Sequence, residues 1–169
     1  MARRTIRLDP LDIVSVQQAL AELTQFRGNF MTSCDKVLNT LAERGAEYAR
    51  NELAAGNAVY TGHLQSSTGF EPVDGGTRVS KVVSTADYAA YVEYGTGIWG
   101  EAFPHPAPEE VGWEYDIHGH GNDGWTYFNP NDHKRHHSIG YMSRPYMYNT
   151  KLYLEEIAPQ VTASVFLEM

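Results

Sequence analysis

The chain has 169 residues, 42% hydrophobic and 12% aromatic, with thirteen Lys and Arg against twenty-one Asp and Glu and a net charge of -8. Three Trp, eleven Tyr and six Phe exclude a solvating, disordered chain, and no apolar run approaches the ~20 residues that span a bilayer. The acidic balance speaks against wrapping nucleic acid, which draws affinity from Lys and Arg.

This length reads as one domain over residues 1–169. The lone Cys34 excludes an intramolecular disulfide and suits a reducing compartment. Residues 1–8, with Arg3, Arg4 and Arg7, read as a flexible basic arm without an apolar signal core behind it. Asp9-Pro10 offers an N-cap and a first-turn proline, and Ile13, Val16, Leu20 and Leu23 recur at helical spacing up to Arg27-Gly28. A second, longer helix is predicted along the stripe Cys34, Val37, Leu38, Leu41, Gly45, Tyr48 and Leu53, with a capping-box spacing at Thr32–Asp35. Residues 69–73 and 77–84 are rich in β-formers, and Asp74-Gly75-Gly76 between them predicts a hairpin. A short helix over 87–94 carries Tyr88, Tyr91 and Val92 on an inward face and ends at Gly95. Residues 98–123 read as a long aromatic, acidic loop, with Trp99, Phe103 and Trp113 and without Lys or Arg. Residues 124–129 and 134–139 read as strands about a turn at Asn129–Asp132. A last helix follows Arg144-Pro145, strongest before Pro159.

No chemical motif stands out. His118, His120, His133, His136 and His137 crowd into twenty residues, but Lys134 and Arg135 sit inside the second cluster and repel a cation. Structural or surface histidines are the reading. A metal-dependent hydrolase using His118, His120, His133 and His137 is the rival. Cys34 falls on a helix stripe as a buried thiol, the serines lack a nucleophile elbow, and Gly95-Thr96-Gly97 follows a helix rather than a strand, which disfavours a phosphate loop. Neither a catalytic residue, a cofactor nor a metal is assigned.

Three segments carry more. Thr61-Gly62-His63-Leu64-Gln65-Ser66-Ser67, then Tyr88-Ala89-Ala90-Tyr91-Val92-Glu93-Tyr94-Gly95-Thr96-Gly97, then Arg144-Pro145-Tyr146 occur in that order. Together they resemble the neck and tail-completion family of long-tailed bacteriophages, minor tail components to which the tail-completion protein Z of lambda is related. The likeness covers roughly Phe30 to Leu154. Tyr146 stands where that family usually has Phe, and residues 98–123 exceed its usual loop.

The resemblance implies an α+β fold, with long helices packed on an antiparallel sheet of hairpins and a C-terminal helix. It implies a non-enzymatic virion protein, made in the host cytoplasm, that forms a ring at the head–tail interface. The implied partners are copies of itself in a hexamer or dodecamer, head–tail connector proteins and a tail terminator or tail tube protein. DNA would only pass through the lumen, which suits an acidic wall, and no membrane is involved. A generic capsid or tail adaptor is the alternative. Trp99, Phe103, Trp113, Trp125 and Tyr127 are the expected interface aromatics, and a Glu93–Arg144 ion pair is the expected link between the second and third segments, with Arg144 also reaching the carbonyls around Gly95 and Thr96.

Overall fold

A computed structural model describes residues 6, 8–56, 62–74, 76–115, 124–129 and 132–167. The architecture is α+β: a long N-terminal helix, two small antiparallel sheets and a C-terminal helix.

Helix α1 spans Ile13–Ala55 without interruption and is about 65 Å long. The two helices expected from the sequence are therefore one. Its N-cap is Asp12 rather than Asp9; the Asp12 carboxylate accepts from the Val14 amide at 3.0 Å, while Asp9 turns the preceding residues by accepting from Leu11. Gly28 does not end the helix. Phe26 and Phe30, one turn apart, stack across it at 6.4 Å. Thr32 donates its hydroxyl back to the Gly28 carbonyl instead of capping a new start.

Helix α2 (His63–Ser66) leads into strand β1 (Thr68–Glu71), which pairs antiparallel with β2 (Lys81–Ser84), Thr68 opposite Ser84 and Glu71 opposite Lys81. The strands are shorter than expected because the connection bends away to grip α1. Asp74 organises its tip by accepting from the amides of Gly76 and Thr77 and from the Thr77 hydroxyl, and these bonds hold its carboxyl below the usual range. The Val73 amide donates to Asn39 at 2.7 Å and Arg78 pairs with Asp35 at 3.1 Å, fastening the loop to α1.

Helices α3 (Ala89–Tyr94) and α4 (Gly97–Ala102) follow, then a 3-10 turn (Pro108–Val111), the hairpin β3 (Trp125–Asn129) and β4 (Lys134–Ser138), the short β5 (Gly140–Tyr141) and helix α5 (Tyr146–Leu167). The stretch from residue 98 is thus structured as far as residue 115, and residues 116–123 lie outside the described residues. Helix α5 continues through Pro159, which sits on an exposed face where the carbonyl it leaves unpaired meets water.

The core lies where α5 and the first hairpin cover the C-terminal half of α1. One cluster joins Ala49, Leu53, Leu64, Ala86 and Tyr146; another joins Val37, Val161 and Val165. Small residues on α1 permit the close approach: a Cβ at Gly45 would come within 2.8 Å of Val82 and 2.9 Å of Leu154. Tyr48 and Tyr153 stack at 4.3 Å, and Phe30 meets Phe166 at 5.5 Å near the far end of α5.

Candidate functional site

The second and third sequence segments meet at Glu93. Its residue is 5% exposed, inside the fold, whereas Tyr88 and Tyr91, expected to face inward, are 38% and 55% exposed. The carboxylate accepts from the amides of Met147 and Tyr148, each at 2.9 Å, in the first turn of α5. A helix leaves its first amides without intrahelical partners, and a nearby side-chain acceptor usually satisfies them. Pro145, immediately before α5, has no such acceptor, so Glu93 caps the helix from a distance. Its negative charge also complements the positive helix end.

The third partner of Glu93 is His105, 4% exposed, whose Nε2 lies 3.1 Å from Oε1. The Nδ1 atom accepts from the Ala107 amide at 3.0 Å. An acceptor Nδ1 requires the proton on Nε2, so a neutral imidazole donates to Glu93 and both ring nitrogens are occupied. Tyr94 and Tyr148 rings flank the imidazole at 4.4 and 5.2 Å. Burial, with Glu93 and Glu110 nearby, pushes the Tyr94 phenol up, and burial does the same for Tyr146. A cleft of about 350 Å³ opens beside this node, rimmed by Lys151 and Glu110, 3.7 Å apart. A Glu–His couple in a cleft can serve acid–base chemistry, but this carboxylate and imidazole are committed to main-chain and mutual hydrogen bonds.

The expected Glu93–Arg144 ion pair does not form. Arg144 joins the node through its backbone, donating its amide to the Val92 carbonyl at 2.9 Å, while its guanidinium lies 4.7 Å from the Tyr141 ring centroid. One guanidinium nitrogen, Nη1, is buried without a hydrogen-bond partner among the described residues. The Gly95 carbonyl expected to meet Arg144 accepts instead from the Trp113 indole at 3.1 Å. Ser143 completes the seam: its hydroxyl donates to the Glu93 carbonyl at 2.7 Å and its amide to Phe103 at 3.2 Å.

Glycines let the strands of this seam approach. Gly95 closes α3 at φ 79°, and a Cβ there would lie 2.6 Å from the Ser143 amide. Thr96 and Gly97 bridge to Tyr141 and Gly140. In the first segment, Gly62 takes φ 74° before α2 and Leu64 is buried in the core; Thr61 lies outside the described residues.

The aromatics split. Trp113 stacks on Tyr94 at 5.0 Å and meets Tyr91 edge-on at 5.7 Å. Trp99 and Phe103 stack at 5.4 Å on an exposed face of α4, and Tyr127 is exposed on β3 beside half-buried Trp125. Of the histidines, His133, His136 and His137 lie on the second hairpin, His136 bonded to Asp132 at 2.6 Å; His118 and His120 lie outside the described residues. Among the described residues no group of three or more His, Cys, Asp or Glu is placed to hold a metal, and no helix is long and apolar enough to cross a membrane.

His105 is the site residue that the sequence reading missed. Its signal was local and weak: it stands between Pro104 and Pro106, which restrict its backbone to an extended conformation but do not set the direction of its ring.

No curated protein and no solved structure matches the chain. A family model does match, and it stops at Gly95, before the Arg144-Pro145 segment. Over residues 17–95, from the middle of α1 to the end of α3, the chain is similar to the HK97-gp10-like family, described as "Bacteriophage HK97-gp10, putative tail-component".

Proposed function

We propose that this is a structural protein of the phage virion, acting at the neck as a ring between the head connector and the tail tube and completing or joining the tail. The similarity of residues 17–95 to a phage tail-component family carries the reading. The surface supports it. The N-terminal half of α1 presents Leu20, Leu23 and Phe26, each about half exposed, along the face that α5 covers further on. Trp99, Phe103, Tyr127 and Phe128 are also exposed. Large apolar side chains on this scale suit contact with other proteins.

The chain then works without bond-making chemistry. Its copies meet head to tail and close into a ring, hexameric to match a tail tube or dodecameric to match a portal. Neighbours are connector proteins on one side and the tail terminator or tail tube on the other, and the genome passes through the lumen. The protein is made in the host cytoplasm and incorporated at assembly.

A phage lacking the gene tests this. DNA-filled heads and finished or near-finished tails that fail to make infectious particles are expected. Normal infectious virions without the protein would contradict the proposal.

A further inference from the structure

The β3–β4 hairpin is rooted on the body at Trp125, which lines a cleft with Tyr91, Trp113 and Glu114. It forms its own two-stranded sheet, with no further strand on either edge among the described residues. Isolated two-stranded ribbons are marginal in water, and their open edges invite pairing. Both faces carry apolar rings, Tyr127 on one and Phe128 on the other, respectively 47% and 57% exposed. Lys134 and Arg135 follow the turn, both exposed, and neither forms an ion pair among the described residues.

The body has the opposite character. Between residues 98 and 115 there is no Lys or Arg, while Glu101, Glu109, Glu110 and Glu114 are exposed. Among the described residues, the one of these four in an ion pair is Glu110, with Lys151 of α5. The molecule therefore bears an arm whose Lys134 and Arg135 form no ion pair among the described residues, its own Asp132 being bonded to His136, and an acidic surface on which one of these carboxylates, Glu110, is ion-paired among the described residues.

We propose that the β3–β4 arm is an intersubunit contact, its Lys134 and Arg135 seating on the Glu101–Glu114 surface of the next copy. Arm and acceptor are different surfaces, so the contact is head-to-tail and repeats around a ring. Tyr127 and Phe128 are covered as it forms, and the unlike charges fix its register. This inference rests on the ring reading and names the contact that builds it.

Sedimentation velocity on the full chain tests it. Lys134→Glu with Arg135→Glu is expected to weaken self-association about tenfold or more, and Glu109→Lys with Glu114→Lys to do the same. All four substitutions together restore it to within about threefold of wild type. Raising salt from about 0.05 to about 0.5 M weakens wild-type association. All four side chains are exposed, and unchanged thermal melts confirm that the variants fold. A ring indifferent to the arm's charges, or a fourfold variant no better than the double ones, overturns the arm contact while leaving the ring. A wild type that stays monomeric throughout overturns both. Loss of binding to duplex DNA in the arm variant, with self-association intact, would assign the arm to nucleic acid and overturn the contact.

Discussion

Glu93 carries three hydrogen bonds on one buried carboxylate, two from α5 amides and one from His105. Charge-assisted bonds of this kind are short and strong, and removing the charge leaves donors facing a weaker acceptor. Glu93→Gln turns one oxygen into an amide that donates where a donor already points. A loss of about 2–4 kcal/mol is expected, a melting temperature lower by about 2–4 °C per kcal/mol for a chain of this size. In double-mutant cycles read by thermal unfolding, Glu93→Gln couples to His105→Ala by about 1 kcal/mol or more. With Arg144→Lys it is additive within about 0.5 kcal/mol. Strong coupling to Arg144 would restore the ion pair that the geometry rejects. Glu93 and Arg144 were both legible in the sequence as members of aromatic-rich segments; the bond between them was not. Residue types advertise charged partners, whereas the donors that Glu93 uses are amides common to nearly every residue.

At the scale of elements, periodicity found most of the fold and misplaced its breaks. The second hairpin lies where alternation and Asn129–Asp132 put it, and α5 starts after Arg144-Pro145 as expected. Gly28 misled because a glycine past a basic residue is also how a helix stops, and one interior glycine costs only about 1 kcal/mol against a stripe of apolar residues on both sides. A Cβ at Gly28 would meet nothing within 4 Å. Gly28→Ala is therefore expected to stabilise the protein by up to about 1 kcal/mol, raising the melting temperature by about 2–4 °C. A destabilised variant would instead mean that α1 breaks there. The stretch after residue 97 was harder to read because prolines and glycines mask short elements. Its order comes from partners far along the chain, as when Ser143 donates to Phe103.

For the whole molecule, the buried node and the exposed surfaces divide the work. Glu93, His105 and the seam at Gly95–Gly97 fix α3, α4 and α5 relative to one another, which holds the aromatic face of α4 and the root of the β3–β4 arm in place. The three short segments that carried the resemblance are thus mostly scaffold, and the proposed assembly contacts draw on residues outside them. That is why the sequence pointed to a family more readily than to an interface: Gly95 and Glu93 obey strict local geometry, while a surface is defined by what covers it. The central claim is that this chain works by position and contact in the virion neck. Labelling it and averaging images of whole particles tests that most directly. Density at the junction of head and tail, repeated six or twelve times around the axis, is predicted; label on the capsid wall, along the tail or absent from the particle would contradict it.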